Sequence, residues 1–154
     1  MKKNGFSLIE LLAVIVILSF IVLITTPIIV NIISNTQKNS FKTSAHGILN
    51  AAELFYTKKL MGESVPRVEF EYDGGEETAN PNEYGNLEYK GEKPKFGKVI
   101  VRNDGKIAFA LYDGAYCAVK QFNSAEGESS ENADEIQIIT DIEDKDNCIA
   151  QIDE

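Results

Sequence analysis

The sequence predicts an α+β fold in which a long N-terminal α-helix packs on an antiparallel β-sheet of three or four strands. Three observations lead to this prediction. A strongly apolar, uncharged segment runs from Leu11 to Ile33. Apolar side chains then recur at helical spacing as far as Phe55. Strand-like segments separated by turn sequences fill the C-terminal third of the chain.

The charge and the scarcity of reactive residues exclude several classes of function. The net charge is −9, and the excess acid lies between Asp113 and Glu154. Exposed acidic surface repels phosphate, so nucleic-acid binding is not expected. With His46 as the single histidine and two cysteines, the chain lacks ligands for a His/Cys zinc site, and only His46 could be the base of a Ser-His-Asp triad. We expect no catalytic residue, cofactor or metal site.

The segment Leu11–Ile33 is long enough to cross a bilayer, which takes about 20 apolar residues in a helix. Within hydrocarbon, a helix pairs the backbone groups inside the segment itself. Lys2 and Lys3 precede it, and flanking positive charge stays in the cytoplasm, so the rest of the chain should face outward. No small-residue secretory cleavage site follows the segment. A retained membrane helix is therefore predicted.

Two residues are unusual for a simple anchor. Glu10 lies at the start of the apolar segment, although a carboxylate at the bilayer centre costs roughly 2.5 to 3.5 kcal/mol, and less near the interface. Gly5, followed by Phe6, places a small residue where the basic tip meets the helix. A protease at the cytoplasmic face could use that junction. Glu10 either has a specific partner or stays hydrated at the interface.

The stretch Lys3–Glu10, followed by the apolar segment, resembles the class III signal of type IV prepilins and of the pseudopilins of secretion and DNA-uptake systems. Pro27 also suits that family. The stretch Tyr89–Pro94 and the strands after it are similar, more loosely, to pilins of Gram-positive, clostridia-like bacteria.

The resemblance implies that a prepilin peptidase removes the leader, residues 1–5, by cutting after Gly5, and methylates the new amino group of Phe6. The chain would begin as a single-pass cytoplasmic membrane protein. An inner-membrane assembly platform with its ATPase would then bring it into an extracellular helical filament with copies of itself and other pilins. Glu10 would pair with the Phe6 ammonium of a neighbouring subunit and set the register between helices. The protein would be a substrate and a structural subunit, not an enzyme.

The rest of the chain divides into further segments. Residues 6–33 are predicted to be the membrane and filament-core helix, and residues 34–62 an amphipathic helix that ends near Gly62. Residues 63–97 are predicted to be a variable connecting loop with one edge strand, for which two short alternating pieces are candidates, Val68–Tyr72 and Leu87–Tyr89. The amphipathic helix should pack one apolar face on the sheet. That face comprises Phe41, Ala45, Ile48, Ala52 and Phe55.

Residues 98–154 are predicted to form the sheet and the C-terminal region. Turn sequences at Asn103–Gly105 and Asp113–Gly114 indicate a three-stranded antiparallel meander. A fourth strand at Gln137–Ile142 is possible after an acidic loop, Asn123–Glu135. The predicted strands of the meander are Lys98–Arg102, Lys106–Tyr112 and Ala115–Phe122.

Cys117 and Cys148 are predicted to pair, because two cysteines in an exported protein more often bond than stay free. Pilins of Gram-negative bacteria commonly close a C-terminal region in this way. The alternative of two buried free thiols remains open, since Gram-positive exported proteins use few disulfides. An oxygen-rich cluster at Asp141–Asn147 could hold calcium, but it lacks the EF-hand spacing and glycine, so a solvated acidic loop is favoured.

Three functions remain. The leading one is a pilin of a type IV pilus that serves adhesion, aggregation or surface motility. The first alternative is a pseudopilin of a type II secretion or competence system. The alternative from another class is an anchored surface binding protein that never polymerises.

Overall fold

The computed structural model describes residues 6–60, 66–81, 84–122 and 135–152. Leader residues 1–5, Gly62 and most of the predicted acidic loop lie outside these ranges. The elements are α1 (Leu8–Leu60), β1 (Val68–Asp73), β2 (Glu76–Asn80), β3 (Phe96–Val101), β4 (Ile107–Tyr112), β5 (Cys117–Lys120), β6 (Gln137–Ile139) and α2 (Lys145–Ile149).

Helix α1 is one continuous element, so the two predicted helical segments are joined without a break, and Pro27 lies inside it. The chain nevertheless forms two compact units, Met1–Gln37 and Lys38–Glu154. In the first unit, the described residues are almost entirely helical. The second unit contains the remainder of α1 and the whole sheet. Helix and antiparallel sheet together confirm the predicted α+β class, in the arrangement of the type IV pilin fold.

The sheet has six strands in the described residues, in the order β2-β1-β3-β4-β5-β6, and each neighbouring pair is antiparallel. The prediction of three or four strands was too low. Strands β3, β4, β5 and β6 correspond to the predicted meander and its possible fourth strand. The other two strands come from the stretch 63–97. Strand β1 coincides with the candidate strand Val68–Tyr72, whereas β2 was not predicted.

Strand β1 is internal, between β2 and β3, and not at the edge as predicted. Its alternating side chains explain this position. Val68, Phe70 and Tyr72 are buried. On the other face, Glu69 and Glu71 both contact Lys98 of β3, at 3.0 and 3.6 Å. The charged face is therefore neutralised by a neighbouring strand, which allows a sequence rich in glutamate to occupy the interior of a sheet.

A buried apolar cluster lies on each face of the sheet, although the second face is charged at β1. The predicted stripe of α1 packs on one face, where Phe41, Ala45, Ile48 and Ala52 are buried with partly buried Phe55 beside them. The second cluster lies on the other face and joins β3, β4 and β5 to α2. Its buried members are Ile100, Ala108, Ala110, Tyr112, Cys117, Val119, Cys148 and Ile152. Strand β4 is therefore buried along its whole length.

The predicted hairpin turns lie where the sequence placed them. Gly105 has φ of +82° and Gly114 has φ of +105°, the conformations that glycine adopts without strain. The Asp113 carboxylate accepts hydrogen bonds from the amides of Ala115 and Tyr116, at 2.8 and 2.7 Å. The hydroxyl of Tyr56 donates to the carbonyl of Asn103 at 3.0 Å, which ties the first turn to α1.

Candidate functional site

The first turn of α1 is built by Ser7 and Glu10. The amide of Ser7 donates to Glu10 Oε2 at 2.8 Å, and the amide of Glu10 lies 3.3 Å from Ser7 Oγ. This reciprocal arrangement is a capping box, which pairs backbone donors that the start of a helix leaves without partners. The hydrogen bond from the Ser7 amide also holds the Glu10 carboxylate at the N-terminal end of α1. The capping role of Ser7 was not predicted, although a serine three residues before a glutamate is the sequence pattern of this motif.

The side chain of Phe6 is 80% exposed, one residue before Ser7. Gly5, on the other side of the predicted cleavage point, lies outside the described residues. Phe6 and Glu10 are both exposed near the start of α1, where a new amino group would also lie after cleavage. The structure thus places the two predicted assembly residues at one end of the apolar helix.

The apolar side chains of α1 from Leu8 to Ile33 are exposed on every side of the helix. Every Leu, Ile, Val and Phe side chain from Phe6 to Ile33 is between 45% and 83% exposed. Of the described part of the chain, this helix is the one that is long and apolar enough to cross a membrane. An exposed apolar surface of this extent must be covered by lipid or by other protein.

The hydroxyl groups of Ser19, Thr25 and Thr26 in this helix donate to its own backbone. Ser19 donates to the Ile15 carbonyl at 2.7 Å, and Thr26 donates to the Val22 carbonyl, also at 2.7 Å. Such bonds to the carbonyl four residues earlier let a hydroxyl lie in hydrocarbon at little cost. The side chains of the helix therefore suit an apolar environment on all sides.

Cys117 and Cys148 form a disulfide, with Cα atoms 5.7 Å apart, which confirms the predicted pairing. Cys117 belongs to β5 and Cys148 to α2, and neither is exposed. The Asp144 side chain caps α2 by accepting from the amide of Asn147 at 2.8 Å. The cap and the disulfide together hold the C-terminal segment on the sheet. One carboxylate of the acidic cluster that was considered for calcium thus has a structural role.

Residues 1–26 match the family model of the prokaryotic N-terminal methylation motif. No curated protein and no solved structure matches the chain. The match covers the predicted leader, the cleavage junction, Glu10 and most of the apolar segment. It supports a type IV pilin-like or pseudopilin-like protein with a prepilin-type signal, anchored in the membrane before assembly.

Proposed function

We propose that this protein is a pilin, the structural subunit of a type IV pilus displayed on the cell surface. The observation that carries the proposal is the coincidence of two features in one segment. The methylation motif covers residues 1–26, and the apolar side chains of the same helix are exposed on every side. A membrane covers such a helix before assembly, and the helices of other subunits cover it afterwards.

The proposed maturation follows from the motif. A prepilin peptidase cuts between Gly5 and Phe6, at the cytoplasmic face, and methylates the amino group of Phe6. Before assembly the protein is a single-pass membrane protein, and an assembly platform and its ATPase extract it into the filament. The disulfide-stabilised sheet unit then forms the outer part of the filament, where it would serve adhesion, aggregation or motility.

Glu10 provides the proposed contact between subunits. Two unit charges about 4 Å apart attract by roughly 4 kcal/mol at an effective dielectric constant of 20. Leaving one member of a buried ion pair without its partner costs about 3 to 5 kcal/mol. An incoming subunit whose Phe6 ammonium meets the neighbouring Glu10 is therefore favoured over one in another axial position. Since a carboxylate has about four acceptor sites, the bond to Ser7 leaves capacity for this cation.

Electron microscopy of cells with and without the gene tests the proposal. The pilus function predicts surface filaments that contain the protein and disappear with it. Unchanged filaments, with a defect in protein secretion or DNA uptake, would instead support a pseudopilin. Surface filaments free of the protein, without either defect, would support a membrane-anchored binding protein.

A further inference from the structure

A buried carboxylate attaches part of the segment between β2 and β3 to the sheet. Its residues 84–95 are here named the β2–β3 connection. Glu77 of β2 is 7% exposed. Its Oε1 atom accepts a hydrogen bond from the amide of Leu87 at 2.5 Å. Leu87 is itself buried in the core between α1 and the sheet. Glu77 thus holds the connection at Leu87, the residue whose side chain enters the core.

Three polar side-chain atoms in this region are buried. In the described residues, Glu77 Oε2 and the hydroxyls of Tyr72 and Tyr89 have no hydrogen bond. Tyr72 lies directly opposite Glu77 in the pairing of β1 with β2, and Tyr89 belongs to the connection. A buried ionised carboxylate that is only partly hydrogen-bonded is costly, whereas its neutral form is tolerated.

Burial raises the pKa of the Glu77 carboxyl above its ordinary value of 4.5, against the opposing effects of the Leu87 amide, Lys93 and Tyr72. Burial likewise raises the pKa of both tyrosine hydroxyls, so they remain protonated. In the described residues, the titratable groups that act on Glu77 are Tyr72 from β1 and Tyr89 and Lys93 from the connection. Of the Glu77 carboxyl and the two phenols, the carboxyl is therefore the group that loses its proton first as pH rises.

We propose that Glu77 is a proton-controlled latch that fastens the β2–β3 connection to the sheet. With a proton, the carboxyl is neutral, and its hydroxyl can donate to a phenol oxygen of Tyr72 or Tyr89. Without the proton, a buried charge remains whose Oε2 atom has no hydrogen bond. Opening of the connection relieves this cost because it brings water to Glu77. Acid therefore closes the latch, and rising pH loosens it.

Opening of the latch would change the exposed surface that the β2–β3 connection forms. The connection presents the exposed residues Lys90, Lys93 and Lys95. It also rests on α1, where the Lys90 carbonyl oxygen lies 3.2 Å from the position of a Cβ atom on Gly47. Loosening at Leu87 would therefore change how these lysines and the neighbouring exposed Glu88 and Glu92 are displayed. The inference concerns the sheet unit alone and does not depend on filament formation.

Hydrogen exchange of the full-length protein in detergent micelles tests the latch. The Leu87 amide is followed from pH 4 to pH 8, after correction for intrinsic exchange. Its protection should fall as pH rises, by up to about tenfold for each unit by which the pKa of Glu77 is raised. In Glu77→Gln, which keeps a carbonyl oxygen for Leu87, protection should not change with pH. Glu88→Gln, an exposed neighbour on the connection, should retain the wild-type profile.

The same corrected pH profile in Glu77→Gln and in the wild type would overturn the proposal. A direct measurement covers the case in which the variant does not fold. Carbon-13 NMR titration of Glu77 in the wild-type protein should give a midpoint above 4.5. A midpoint at or below that value would contradict the latch.

Discussion

Ser7 and Glu10 cap each other, with the Ser7 amide 2.8 Å from Glu10 Oε2 and the Glu10 amide 3.3 Å from Ser7 Oγ. Glu10 thus has a role within its own chain in addition to its proposed role between subunits. The first role requires a hydrogen-bond acceptor, which glutamine also provides. The second requires a negative charge. Substitutions at these two residues can therefore separate the two roles.

Glu10→Gln should abolish filament formation when it is the only subunit present, because it keeps the cap but loses the charge that attracts the Phe6 ammonium. Glu10→Val, which loses both, should fail in the same way. Both variants should still insert in the membrane and be cut after Gly5. Immunoblots of membrane and sheared-filament fractions measure these outcomes.

Ser7→Ala is the matched control for these variants. It removes one cap bond, at about 1 kcal/mol, and keeps the charge of Glu10. It should still assemble, with at most a reduced yield. Normal filament yield from Glu10→Gln would show that the cap, and not the ion pair, is the role of this residue.

Reduction of the disulfide should destabilise the sheet unit. Cys117 and Cys148 are separated by 31 residues, for which the chain-entropy model gives roughly 3 to 4 kcal/mol. The melting temperature of the full chain in micelles, followed by circular dichroism, should fall on the order of 10 °C. The double variant Cys117→Ser/Cys148→Ser should match the reduced wild type. Equal melting temperatures with and without reductant would contradict the prediction.

Gly97→Ala should destabilise the protein by several kcal/mol, since it combines strain with a clash. Gly97 has φ of +148°, and a Cβ atom there would collide with the Ala110 carbonyl oxygen and lie 2.9 Å from the Leu111 Cα atom. Gly74→Ala is the control, because Gly74 has φ of +63° and open space around it. It should cost only about 1 to 2 kcal/mol. Denaturant unfolding measures both, and equal losses would argue against the close packing of β3 on β4.

The ion pairs of Glu69 with Arg67 and Lys98 should stabilise the sheet in neutral solution, and this stabilisation should be lost in acid. Burial acts to raise the pKa of Glu69, but Lys98 and Arg67 outweigh it and lower that pKa below 4.5. The stabilisation is therefore present above 4.5 and is lost as pH falls through the lower, folded-state value. Glu69→Gln should be less stable than wild type by about 1 kcal/mol at pH 7, and the difference should shrink as pH falls below 4.5. Glu53→Gln, on the exposed side of α1, should show no such difference.

The elements that the sequence predicted best are those with a strong pattern and clear turn signals. The stripe from Phe41 to Phe55 indicated both the helix and the face that it buries. The turn glycines Gly105 and Gly114 located β4 between its neighbours. The pairing of Cys117 with Cys148 followed from export and from the number of cysteines.

The missed elements have patterns that depend on tertiary contacts. Strand β2 buries Glu77 and Ala79, and neither residue indicates a strand, because the burial of Glu77 depends on the distant Leu87 amide. The second core on the far face of the sheet was missed because Ala108 and Ala110 are small and carry little signal. Helix α2 has five residues, too few for a periodic pattern, and its one local indication was the Asp144 cap.

The most direct test of the central claim is the intact mass of this protein recovered from sheared surface filaments. The filament account predicts a chain that begins at Phe6, carries one added methyl group on its amino terminus and contains the Cys117–Cys148 disulfide. Filaments whose subunits still carry Met1–Gly5, or filaments without this chain, would contradict it.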